Sequence, residues 1–232
     1  MRIEKFSLIE GARKAKGLAV VIDVFRAFTT AAYVMANGAE MIVPVGTVEE
    51  SFEFKGRHPD WIQIGERGGV KVKGFQYGNS PYEVSAVDFT GRTVIQTTSA
   101  GVQGIVNAMG ADDVVLGSFV MAGAIVDYIR KMDPDAVSLV AMGDSGVEPN
   151  EEDERCADYI EGLLMGGRPD FEEIRKAIWE APSGFKFFDP EQPQFREEDL
   201  HMALDLDRFP FILRVVDGEE PHVEKVDVPP HT

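Results

Sequence analysis

Residues Leu18 to Gly38 read LAVVIDVFRAFTTAAYVMANG. The first five are apolar and rich in β-branched side chains. An unbroken apolar run of that length reads as a strand covered on both faces, as in a parallel sheet. Asp23 ends the run. Phe25–Asn37 then reads as a helix, and Asn37-Gly38 is a stop with glycine just past the end. Strand, polar tip, helix and glycine make one βα unit.

Working outward, the unit recurs. Strands are predicted at Leu18–Asp23, Met41–Val45, Trp61–Ile64, Thr93–Thr97, Val114–Gly117 and Val137–Met142. Helices are predicted at Phe25–Asn37, Val48–Lys55, Ala100–Met109, Val120–Met132, Glu151–Met165 and Asp170–Glu180. Alternation of this kind favours an α/β fold, a layered α/β/α sheet that is mostly parallel with right-handed crossovers. Beyond residue 180 the pattern loosens around Pro182, Pro190 and Pro193. A short helix at Glu197–Asp205 and a C-terminal hairpin, Phe211–Val216 with Val223–Val228 around Asp217-Gly218, complete the reading. No repeat or linker divides residues 1–232, so one domain is expected.

Composition narrows the function. The chain has 232 residues, 44% apolar and 27% charged, as globular proteins do. The run of charges at its start argues against a signal peptide. Cys156 is the sole cysteine, which excludes an intrachain disulfide and suits a reducing cytoplasm. The net charge is −17, from 40 acids and 23 bases; residues 150–232 hold 22 of those acids and 9 of the bases. Such a surface repels nucleic acid and anionic membrane. Residues 65–80 invert the trend with Arg67, Lys71 and Lys73 against Glu66, which points to a small anionic ligand. A homo-oligomer is compatible with the many phenylalanines of the last third.

Several strands end in reactive or small polar residues: Asp23 with Arg26 in the next turn, Gly65-Glu66-Arg67, Thr97-Thr98-Ser99, Gly117-Ser118 and Gly143-Asp144. Ligands of open α/β sheets bind outside the carboxyl ends of the strands, although single hydroxyls there also serve as helix caps. A carboxylate at a strand tip suits Mg²⁺, which prefers hard oxygen ligands, and Arg26 suits bidentate phosphate. The glycine-rich segment GERGGVKVKGFQYGNSP, residues 65–81, offers backbone amides to an anion. Within it Asn79-Ser80-Pro81 reads as a cap that opens a helix and a second anion site. Thr97-Thr98-Ser99-Ala100-Gly101 is another strand-to-helix junction suited to phosphate or sulfonate oxygens. In Glu151-Glu152-Asp153-Glu154, helical spacing turns Asp153 toward the apolar face, where a carboxylate needs a metal or arginine; Glu152 sits on the border. Neither GxxxxGK[ST] nor GxGxxG occurs, so nucleotide binding lacks support. None of His58, His201, His222 and His231 lies in a motif.

Together these motifs resemble the 2-phosphosulfolactate phosphatase family known from coenzyme M biosynthesis. The match runs through Asp23–Thr30 (DVFRAFTT), Gly65-Glu66-Arg67, Gly74-Phe75 with Gly78-Asn79-Ser80-Pro81, Thr97-Thr98 with Gly101, Gly117-Ser118-Phe119 and Glu152-Asp153-Glu154. The resemblance implies Mg²⁺-dependent hydrolysis of (R)-2-phospho-3-sulfolactate to 3-sulfolactate and phosphate. The expected assignment makes Asp23, Glu66 and Asp153 the metal-ligand candidates, one of them alternatively the general base. Arg26 and Arg67 hold the substrate's anions, Thr97, Thr98, Ser99 and Gly101 form the anion cradle, and Asn79 and Ser80 orient the substrate. The family's pattern carries Asn at the positions of Ala100 and Met121, both expected in the crevice. Those departures motivate a second reading, a non-catalytic binder of a phosphorylated or sulfonated small acid.

Overall fold

The computed structural model describes residues 1–229. Ten strands form one sheet: β1 (Arg2–Ser7), β2 (Leu18–Ile22), β3 (Met41–Pro44), β4 (Ile62–Arg67), β5 (Val70–Lys71), β6 (Thr93–Thr97), β7 (Asp113–Gly117), β8 (Ala136–Ala141), β9 (Phe211–Val216) and β10 (His222–Asp227). The helices are α1 (Leu8–Ala12), α2 (Ala27–Ala36), α3 (Val48–Arg57), α4 (Pro81–Val84), α5 (Gly101–Ala108), α6 (Ala122–Met132), α7 (Glu151–Leu164), α8 (Phe171–Glu180), α9 (Pro182–Phe185) and α10 (Glu197–Ala203). Across the sheet the strands run β1-β8-β2-β7-β9-β10-β3-β6-β4-β5.

The expected α/β architecture is present. Every residue of β2 and β6 is buried, as the two-sided apolar runs require. Helix α2 is buried from Ala27 to Met35, and a helix apolar on all sides belongs inside the core. Amphipathic α3 carries Glu49 and Glu50 in its first turn and Lys55 and Arg57 in its last, with Thr47 as cap. That charge order complements the helix dipole.

The two parallel blocks, β1-β8-β2-β7 and β3-β6-β4, are joined by the C-terminal hairpin β9–β10. The hairpin is thus central to the sheet. Its outer pairings, β7 with β9 and β10 with β3, are both antiparallel, so the second block runs opposite to the first. In a flat sheet their carboxyl ends would point apart. They nevertheless line one cavity, which requires the sheet to depart from flatness between the blocks. The joins there are short, two residue pairs between β7 and β9 and one, Val223 with Ile42, between β10 and β3; short pairings leave room for strong twist.

Two features depart from the sequence reading. Residues 1–17, left unassigned there, form the edge strand β1 parallel to β8, followed by α1. Strand β4 continues three residues past Ile64 and turns at Gly68-Gly69, both at positive φ, into β5. Among the described residues no helix is long and apolar enough to cross a membrane.

Candidate active site

The ends of β2, β4, β6 and β8 converge on one cavity of about 400 Å³, whose wall includes Asp23, Glu66, Ser99, Ala100, Gly143 and Asp144. The segment after α8 contributes Lys186, Gln192, Gln194 and Phe195. Asn79 and Arg26 complete the polar lining.

Asp23 follows β2 and is 6% exposed. Its Oδ1 accepts the amide of Ala27 at 3.1 Å. Gly101 opens α5 directly against Asp23: a Cβ there would lie 2.8 Å from Asp23 Oδ2, and its amide also donates to Asp23. Burial pushes the carboxyl up to about 7, opposed by the Ala27 amide and reinforced by the nearby charges of Glu66 and Glu152.

Glu66 accepts three hydrogen bonds. The amide of Ser99 donates to Oε1 at 2.6 Å, and the amide of Gly69 and the Ser99 hydroxyl donate to Oε2 at 2.8 and 3.1 Å. The carboxylate thereby ties the β4 turn to the end of β6.

Asp153 is 1% exposed and points inward, as the helical spacing requires, but it stands behind the cavity wall. Oδ1 accepts the amide of Val24 at 2.8 Å and Oδ2 that of Gly143 at 2.9 Å. One carboxylate therefore links the β2–α2 and β8–α7 loops. Burial, then Glu152 and Asp23, push its carboxyl well above the usual range. Glu152, read as a border residue, is fully buried. Neither of its oxygens makes a hydrogen bond of good geometry; burial raises its pKa, and Lys186 and Ser183 are the groups that favour its charge.

Arg26 lies on the wall, 3% exposed, and most of its donors are engaged. It donates to Asp199 Oδ2 at 2.9 Å, to Gln194 O at 2.8 Å and to Gly69 O at 2.9 Å. The Phe195 ring lies 4.8 Å from the guanidinium carbon. Asp199 is fully buried on α10 and also accepts from Ser80 Oγ at 2.6 Å and the Tyr82 amide at 3.0 Å. The anion expected at the start of α4 is therefore the protein's own Asp199.

Arg67 turns away from the cavity. It donates to Glu66 O at 2.7 Å, Gly46 O at 3.2 Å and Thr97 Oγ1 at 2.8 Å. Thr98 Oγ1 accepts the Val102 amide at 3.1 Å near the head of α5, and Ser80 Oγ caps α4 through Glu83 N at 3.1 Å. The structure thus brings Asp23, Arg26, Glu66, Asn79 and Ser99 onto one wall. Arg67, Ser80, Thr97, Thr98, Gly101 and Asp153 stand behind it. Asn79 is 6% exposed, and its Oδ1 has no hydrogen-bond partner. Of the two departures, Ala100 lines the cavity, whereas Met121 is fully buried in the core, away from the crevice expected for it.

Sequence reasoning missed Lys186, Gln194, Phe195 and Asp199. They fall in the proline-punctuated stretch where periodicity fails. Among the described residues no histidine lines the cavity; His231 lies outside them. Cys156 is buried in the core, and burial and Asp153 push its thiol well up, so it is no thiolate nucleophile.

Comparison with known proteins follows this geometry. A family model described as 2-phosphosulpholactate phosphatase matches residues 5–217. A Bacillus subtilis (strain 168) protein named probable 2-phosphosulfolactate phosphatase is 33% identical over 211 residues, covering 89% of this chain and 91% of its own. One of the same name from Carboxydothermus hydrogenoformans is 38% identical over 165 residues, covering 71% of this chain and 68% of its own.

Proposed function

The chain belongs to the 2-phosphosulpholactate phosphatase family, a family of phosphoric monoester hydrolases, and from that premise we propose that it uses Mg²⁺ to release phosphate from (R)-2-phospho-3-sulfolactate or a closely related phosphorylated small acid. The observation that carries this reading is Asp23, a nearly buried carboxyl on the wall of a polar cavity where the strand ends of both sheet blocks meet.

The donor set suits the cation. Among the described residues no three carboxylate, imidazole or thiolate side chains form a metal cage. Mg²⁺ does not need one, since it keeps several waters and takes one or two carboxylates plus substrate phosphate. Asp23 and Glu66 would hold it. Each has carboxylate lone-pair capacity beyond its hydrogen bonds, and Asn79 Oδ1 is a further oxygen without a partner. When bound, Mg²⁺ neutralises phosphate oxygens and orients a water for attack at phosphorus.

The chain's own residues do the rest. Burial pushes the metal-free Asp23 carboxyl up to about 7, so it would release its proton on taking up a cation there. Asp153 acts through backbone: by holding the amides of Val24 and Gly143 it fixes the two loops that flank the cavity. Glu66 does the same for the loop ending in Ser99. Gly68, Gly69, Ala100 and Gly143 keep the wall low, so a small anion can approach the main chain, although the amides of Gly69 and Gly143 themselves donate to Glu66 and Asp153. Arg26 positions the capping segment through Gln194 and Asp199.

A panel of phosphomonoesters, assayed for phosphate release with Mg²⁺ and with chelator, tests the reading. Turnover of phosphosulfolactate or another phosphorylated small acid, lost with chelator, is expected. Tight binding of such an acid with no hydrolysis under any divalent metal would support the binder instead, which the alanine at position 100 of the wall motivates.

A further inference from the structure

The cavity wall carries two cations, Arg26 and Lys186. Arg26 is neutralised by Asp199, an ion pair with both partners almost wholly buried. Arg67, the other arginine of the region, donates into the protein rather than the cavity. Lys186 differs. Among the described residues its Nζ makes no hydrogen bond and no ion pair within 4.0 Å. It is half-buried in the turn that follows α9, held 4.7 Å from the Phe195 ring centroid and 5.8 Å from that of Phe187.

The platform beneath it is built. Phe195 packs against Gly69, where a Cβ would lie 2.5 Å from the ring. The same ring faces Arg26 on one side and Phe187 on another. Arg26 holds the chain at Gln194, next to Phe195. The ammonium thus stands on the wall with no carboxylate of the described residues within ion-pair distance; its electrostatic partner is Glu152, buried behind the wall, whose charge it favours without a contact. A partly desolvated cation in that position gains most from an anion that arrives with the ligand.

We propose that Lys186 binds the second anionic group of the substrate, the strong-acid substituent that distinguishes a phosphosulfonate from a simple phosphate ester. The inference rests on the phosphatase reading for the first anion, the phosphate, which lies toward Asp23 and Glu66. Lys186 and the Asp23–Glu66 pair line the same cavity of about 400 Å³, so a small phosphate ester can reach both with its two anionic groups.

The test is calorimetric binding of 3-sulfolactate and of lactate, which differ by the sulfonate alone. It uses the wild type, Lys186→Met and Lys186→Arg, each checked for a native circular dichroism spectrum, with Lys186→Gln as a second neutral variant. The wild type is expected to bind 3-sulfolactate at least about tenfold more tightly than lactate, the scale of one charge-assisted hydrogen bond. The neutral variants should remove that preference and Lys186→Arg should restore most of it. A preference that survives in the neutral variants, or none in the wild type, overturns the assignment. Neither measurement needs turnover, so failure of the phosphatase reading, an absence of hydrolysis across the phosphomonoester panel, is a separate result.

Discussion

Asp23 carries a stability cost that pH should reveal. Its folded value of about 7 lies above the ordinary 3.8. Between those values the folded protein holds a proton that the unfolded chain has released, so this carboxyl lowers stability as pH rises from about 4 to 7. Metal-free Asp23→Asn should therefore melt above metal-free wild type at pH 8, by on the order of 2–4 kcal/mol or about 5–10 °C. The gap should close toward pH 4, and thermal melts in chelator read it; a constant gap would contradict the burial argument. Arg26 makes the opposite case. Arg26→Met leaves Asp199 charged and buried, and should cost about 3–5 kcal/mol in denaturant unfolding, with Asp199→Asn in the same chain recovering part of the loss. At this scale the sequence placed Asp23, Glu66, Asn79 and Ser99 at strand ends or in the glycine-rich loop, and the structure puts all four on the cavity wall. Ser80 caps its helix as the sequence predicts, but neither it nor Thr97 nor Thr98 reaches the wall, since their hydroxyls are taken by nearby donors and acceptors, as junction hydroxyls commonly are.

Among the elements, the β4–β5 turn and the segment from α9 to α10 form a joint structure that neither stretch predicts alone. Gly69 adopts φ +79° and leaves the space that Phe195 fills. Gly69→Ala should cost about 1–3 kcal/mol in denaturant unfolding, from backbone strain and the displaced ring together. A loss no greater than at exposed Gly68, also at positive φ but with open space around its Cα, would show that the Phe195 contact adds nothing. The central strands and the helices after them were legible because two-sided burial writes continuous apolar runs. Strand β1 was not: an edge strand in which Arg2, Glu4 and Lys5 interrupt Ile3 and Phe6 lacks the unbroken apolar run and is too polar to separate from a loop. The capping segment was illegible for another reason. Its structure comes from contacts across the fold, Arg26 with Asp199 and Phe195 with Gly69, and leaves no periodic mark.

Over the whole molecule, the C-terminal hairpin joins two parallel blocks of opposite direction whose carboxyl ends line one cavity. The sequence showed the hairpin but not its central place, because strand order is set by long-range pairing rather than by local pattern. A chain truncated after residue 208 would lose both bridging strands and expose the edges of β7 and β3. It should lack a cooperative melt and aggregate; a native-like melt would mean the blocks hold together without the bridge. The measurement that bears most directly on the account is steady-state phosphate release from phosphosulfolactate by wild type and Asp23→Asn, each titrated with Mg²⁺. The account predicts saturable, Mg²⁺-dependent turnover in the wild type and none above background in a folded Asp23→Asn protein. Comparable turnover by the two would contradict it.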